Sequence, residues 1–249
     1  LIESANFGLF TFNDLTRAIS RTIELPYDFV LSLIAKGFFQ GQGSQAILLL
    51  SPISWIAIVF LMTILALKLK DKGLAILTFF SFSYLAVFGQ WESSMVTIAS
   101  IFIAVPFGVL IGLSAGILCY KSVRAYKIIN PILNLMQTMP VFAYLVPVLV
   151  LFGFGPVSAL IATIIYALPP MVHTSHLGLK SINPSTIEAG LMCGCNNRQL
   201  LWRVEIPSAL SSIKVGINQV IMLSFNMVII ASMIGAGGCL LYTSPSPRD

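Results

Sequence analysis

The chain has 249 residues, of which 57% are hydrophobic and only 9% are Asp, Glu, Lys or Arg, and its mean hydropathy is +0.93. A soluble domain carries about 25% charged residues, and a surface this poor in charge excludes a water-soluble fold. The net charge of +5 comes from basic residues scattered over separate segments, which gives no nucleic-acid-binding patch. The composition points to an all-α polytopic membrane protein. A transmembrane β-barrel is disfavoured because the apolar segments are continuous runs rather than alternating ones.

In chain order, residues 1–46 form an extracytoplasmic N-terminal segment with no methionine at its start and no signal-peptide pattern. Within it Val30, Leu31, Ile34 and Phe38 recur at helical spacing, which predicts an amphipathic helix on the membrane surface. Residues 47–238 form the membrane domain, with six apolar spans predicted at 47–67, 74–90, 94–118, 133–153, 157–173 and 213–235. Most approach the roughly 20 residues that a crossing helix needs. The end of the fifth is left open by Pro169 and Pro170. The last 11 residues, 239–249, break off a Gly-rich apolar run with "CLLYTSPSPRD". Back-translated, that string resembles a sequencing-library adapter, so it is read as a non-native tail, with the natural protein continuing past Gly238. Genomic DNA encoding the same residues would overturn that reading.

Charge sets the orientation. Lys68, Lys70 and Lys72, then Lys121, Arg124 and Lys127, then Lys180, Arg198 and Arg203 follow spans one, three and five, with Lys214 opening span six. The alternate loops near 90–92 and 153–156 hold no Lys or Arg. The positive-inside rule puts residues 185–209 in the cytoplasm and the N-terminal segment outside. Cys119, Cys193 and Cys195 then fall in or beside reducing segments and read as small packing residues. His173 and His176 lack an acidic or thiol partner, so no metal site is expected. Apart from Lys214 the spans contain no ionisable Asp, Glu, Lys or Arg. Ion-coupled carriers commonly bury such groups, and membrane enzymes need an activated nucleophile or acid. Neither is found, so uphill transport would need energy from elsewhere.

The polar loop 185–209 departs from this pattern. Ser185 and Glu188 have capping-box spacing, which predicts a helix from Thr186 that carries Ile187 and Leu191 on one face. Gly194 allows a sharp bend, Asn196 with Gln199 caps a second helix, and Pro207 is expected to end it. Glu188-Ala189-Gly190, three residues, Gly194, nine residues, then Val204-Glu205-Ile206-Pro207 resembles the "EAA" signature of ABC importer permeases. That signature reads E-A-A, three residues, G, nine residues, I-x-L-P. Gly190, Val204 and Ile206 depart from it, and Gly190 is expected to loosen the first helix. Segments 135–157, 164–179 and 216–238 further resemble the glycine betaine/proline permease group, whose members handle quaternary-ammonium osmolytes including choline and carnitine. The resemblance covers about residues 90–238.

The resemblance implies a type I ABC importer transmembrane domain in the bacterial inner membrane. It implies a homodimer of permeases in the lipid bilayer, with two ATPase subunits and an extracytoplasmic binding protein or domain. It also implies a coupling role for Glu188, Ala189, Gly190, Gly194, Val204, Ile206 and Pro207. No Walker A loop is present, so ATP and Mg would belong to the partner, with no cofactor in this chain. The uncharged polar residues Asn134, Gln137, Thr138, Asn218, Gln219 and Asn226 either line a path or hold helices together. Gln219 and Asn226, seven apart, share a helical face. Phe142 and Tyr144 are candidates for cation–π contacts or plain packing. The alternatives are an ABC permease for another small solute and an ion-coupled secondary transporter.

Overall fold

The computed structural model describes residues 6–7, 10–36, 38–40, 47–50, 54–69, 72–153 and 155–233. The chain divides into two compact units, residues 1–100 with 154–157 and 231–249, and residues 101–153 with 158–230. Among the described residues helix dominates, with two small antiparallel hairpins near the N-terminus. Asn6–Phe7 pairs with Phe10–Thr11, and Phe38–Gln40 pairs with Ile47–Leu50.

In the first unit α1 covers Phe12–Leu31 and continues as a π-helical turn over Ser32–Lys36. The amphipathic helix therefore starts well before the predicted stretch, and Phe38 lies on a strand instead. Among the described side chains of α1, Ile23, Tyr27 and Leu31, spaced four apart, are buried. The Tyr27 hydroxyl hydrogen-bonds the Ser100 side chain of α4 (Trp91–Lys121). Helices α2 (Trp55–Lys68) and α3 (Lys72–Val87) pack as an apolar hairpin with Ile58, Val59, Ala66 and Ala75 buried. The first predicted span is thus shorter than expected, since 47–50 is a strand. Hydrophobicity does not distinguish a buried strand from a helix, and Pro52 disfavours helix at the residue before it.

The second unit contains most of α4 together with α5 (Val123–Thr138), α6 (Phe142–Phe152), α7 (Pro156–Lys180) and α11 (Leu210–Met233). Among the described residues α4, α7 and α11 are long and apolar enough to cross a membrane, and the pair α5–α6 counts as a fourth crossing if its halves make one span. That pair bends by 102°, so the predicted span 133–153 is broken within its length. Met139 is held extended by the following Pro140, which stops α5. The Tyr144 hydroxyl donates to the Met136 carbonyl across the bend, and its ring meets Tyr166 edge-on at 5.7 Å. By contrast, α7 continues unbroken through Pro169 and Pro170 to Lys180. Such prolines are tolerated where neighbouring helices hold the segment.

Glycines set how closely these helices approach. A Cβ on Gly112 of α4 would lie 2.7 Å from Met171 Cβ of α7, and one on Gly116 would lie 2.6 Å from Ser175 Cβ. A Cβ on Gly216 of α11 would overlap Thr174 Oγ1, and one on Gly178 of α7 would lie 2.6 Å from Ser212 Cβ. Helices in lipid associate through such close packing of small residues, because burying apolar surface gains nothing there. The buried cluster Ala167, Met171, Leu179, Ala209, Ile213 and Val220 fills the space between the crossings. Replacing Gly116 by Val should destabilise the detergent-solubilised protein by about 1–3 kcal/mol through overpacking. A thermal unfolding midpoint checks this, with Leu110→Ala, 64% exposed on the same helix, as the control that shifts it less.

Candidate functional site

The loop between α7 and α11 folds as two short helices around a glycine. The first, α8, covers Pro184–Met192. Its cap is Asn183, whose side-chain oxygen accepts from Ser185 N at 3.1 Å, rather than the predicted Ser185. Pro184 at the first helical position explains the shift: it begins a helix readily and holds the residue before it extended. The helix ends in a Schellman motif. Gly194 N–H donates to Leu191 O at 2.9 Å and Cys195 N–H to Gly190 O at 3.3 Å. Gly194 takes φ +78°, a left-handed conformation that costs other residues about 1–2 kcal/mol. The predicted bend is therefore present at the predicted residue.

Asn196 caps α9 (Asn197–Leu200) as expected, with Asn196 N–H donating to Gln199 Oε1 at 3.0 Å and Asn197 N–H donating to Asn196 Oδ1 at 2.7 Å. Pro207 does not end the helix. The chain continues as a π-helical segment, Leu201–Glu205, then α10 (Ile206–Ser208), and passes through Ala209 into α11. Proline has no N–H to offer the Arg203 carbonyl, and its ring crowds that oxygen. The ladder widens to accommodate this, and Ile206 N–H bonds to Leu201 O, five residues back.

The two arms close on Gly190. A Cβ there would lie 2.7 Å from Leu200 Cδ1 and 3.2 Å from Val204 Cγ2. Gly190 is buried, and its lack of a side chain lets the second arm seat against the first. Leu200, Leu201 and Glu205 are buried, and Val204 and Ile206 are partly so, with Ile206 packed against the cluster between the membrane helices. Glu188, Ala189, Gly194 and Pro207 are exposed, as are Met192 and Trp202. A hollow of about 350 Å³ lies among Asn196, Arg198, Gln199, Trp202 and Arg203. The seven coupling candidates thus split into an inward-packed set and an outward-facing set on one folded element.

The sequence did not single out Glu205. It is 7% exposed, and its Oε1 accepts from the Tyr120 hydroxyl of α4 at 3.1 Å. The available signal was an acid placed four residues after Leu201 and flanked by apolar Val204 and Ile206. Among the polar candidates, Asn134, Gln137 and Thr138 of α5 are exposed, and Thr138 Oγ1 bonds locally to Leu135 O. Asn218, Gln219 and Asn226 of α11 are also exposed, away from its buried face of Ile213, Gly216, Val220, Ser224 and Met227. Phe142 is exposed and Tyr144 is buried in the α5–α6 bend. His176 is buried and stacks on Tyr126 at 4.4 Å.

Residues 104–248 match the family model described as the inner membrane component of binding-protein-dependent transport systems. The chain is 46% identical over 189 residues to the trimethylamine N-oxide transport system permease protein TmoV of Pelagibacter ubique, covering 76% of this chain and 26% of that protein. It is 38% identical over 222 residues to the glycine betaine/proline betaine transport system permease protein ProW of Escherichia coli, covering 89% of this chain and 59% of ProW. To the glycine betaine transport system permease protein OpuAB of Bacillus subtilis it is 35% identical over 209 residues, covering 81% of this chain and 74% of OpuAB. The chain therefore spans less than two thirds of the length of TmoV and ProW.

The close contact at Gly190 is open to test. Gly190→Leu should separate the two arms and raise the rate of limited proteolysis at 193–197 about tenfold, equivalent to roughly 1.4 kcal/mol of local opening. Ala189→Leu, on the exposed side, should leave the cleavage rate near that of the parent.

Proposed function

The chain belongs to the family of inner membrane components of binding-protein-dependent transport systems, and on that footing we propose that it is the permease subunit of an ATP-driven importer for glycine betaine or a related methylated-ammonium osmolyte. The folded element at 183–208 carries this reading. It combines an outward face of small and exposed residues with an inward face seated on the helices that cross the membrane. Such an element can receive a push and pass it on. In this reading the 185–209 loop lies in the cytoplasm, the N-terminal segment 1–46 lies outside, and Glu188, Ala189 and the Gly194 turn meet the ATPase. The inward-packed Gly190, Val204 and Ile206, with Pro207 shaping the segment, carry the motion into α11.

Two copies of the chain pair with two ATPase subunits and an extracytoplasmic binding protein or domain. ATP and Mg act on the partner subunit, and this chain catalyses no reaction. The substrates named for its relatives, glycine betaine, proline betaine and trimethylamine N-oxide, share a methylated cationic nitrogen and a balancing oxygen charge. A path for such zwitterions needs neutral polar groups that solvate them weakly. Asn218, Gln219 and Asn226 supply these along the outward face of α11, with Asn134, Gln137 and Thr138 on α5. An amide left facing hydrocarbon is unfavourable, so this exposure supports a face turned to the path or to the second copy.

Proteoliposomes containing this chain, its ATPase and its binding protein should accumulate glycine betaine only with ATP. Gly194→Arg, strained at φ +78° and bulky at the docking turn, should reduce uptake to background while still inserting in the membrane. Accumulation without the ATPase would instead favour an ion-coupled carrier.

A further inference from the structure

We propose that the Tyr120–Glu205 hydrogen bond transmits the motion of the coupling element to α4, making both residues positioning residues for transport; this rests on the permease reading above. Glu205 lies at a junction. Its backbone carbonyl accepts from Ala209 N–H at 2.9 Å, which links the π segment to the start of α11. Its side chain accepts from Tyr120 at 3.1 Å, a contact between residues 85 apart in sequence. One residue therefore ties the second arm of the coupling element to two membrane helices. Within the π segment Leu201 and Glu205, four apart, lie on the buried side, while Trp202 and Arg203 remain exposed.

The donor is also held in place. Tyr120 packs against the cluster that contains Leu179, Ala209 and Ile213, so its hydroxyl is fixed by the helix crossings themselves. Burying a carboxyl group at this spot is unfavourable compared with an apolar residue of similar size. Packing alone does not call for it. A directional bond adds to that packing a fixed register between Glu205 and Tyr120, which a sliding of one element past the other would break.

The test uses the assembled complex in proteoliposomes, with glycine betaine as the probe and ATP hydrolysis followed in the same sample. Tyr120→Phe keeps the ring and removes only the hydroxyl. It should retain the ATPase subunit in the complex and lower the glycine betaine moved per ATP by about tenfold, the worth of one hydrogen bond to a carboxyl group. Glu205→Leu should match that loss, the double variant should add nothing further, and Glu205→Gln, which keeps an accepting oxygen, should restore most of the coupling. A Tyr120→Phe complex with the parental ratio of substrate to ATP would overturn the proposal. So would a loss that merely follows loss of the ATPase subunit, or losses that add in the double variant. If the unaltered complex shows no ATP-dependent uptake, the permease reading itself fails, and that outcome is separate from these.

Discussion

The membrane part of the chain depends on close contact between helix backbones at glycine. Gly112 and Gly116 of α4 and Gly216 of α11 sit against Met171, Thr174 and Ser175 of α7, and Gly178 of α7 sits against Ser212 of α11. In a bilayer the hydrophobic effect does not hold helices together, so dispersion between well-fitted surfaces must. A fit this tight resists continuous deformation: helices so packed move together or change packing in steps. Under the proposed permease function, that property would let a push at one end become a different arrangement along the length of the helices.

The folded element at 183–208 is built on the same economy of volume, with backbone devices added. Gly190 lets two short arms touch, and Gly194 turns the chain between them in a conformation other residues resist. Pro207 then removes one ladder bond and leaves a widened segment, so the second arm reaches α11 without a loose linker. A flexible connection at this point would dissipate any displacement of the first arm. The helical joint retains the stiffness, and Ser208 Oγ, donating to Val204 O at 2.6 Å, satisfies a carbonyl beside the bulge. Rigidity at the joint and shape at the hinge come from single residue types at single positions.

Much of this could be read from the residues before any coordinates. Long uncharged runs gave α4, α7 and α11 because lipid solvent leaves the backbone few alternatives to helix. The Gly194 bend and the Asn196 cap were legible because their chemistry is local. Non-local features were not. The α5–α6 break has a signal in Pro140, but hydropathy averaged over a window hides a 102° bend inside one apolar run. Asn183 took the cap from Ser185 because Pro184 changed where the helix begins. Pro207 was expected to stop a helix, yet tertiary support from Ile206 and Glu205 let it continue as a bulge. The burial of Glu205 depends on Tyr120, 85 residues away, and no pattern within the loop announces that partner. The tail 239–249 lies outside the described residues, as do parts of the segment 1–46.

The central claim is that the elbow at Gly194 faces the cytoplasm and is gripped there by an ATPase. Cys193 is exposed beside that glycine, which makes it a native reporter. In a variant with Cys195 and Cys239 replaced by serine, a membrane-impermeant maleimide should leave Cys193 unlabelled in right-side-out vesicles. It should label Cys193 rapidly in inside-out vesicles and much more slowly once the ATPase subunit is bound. Labelling from the outer side, or labelling at the same rate with the ATPase present, would contradict the account.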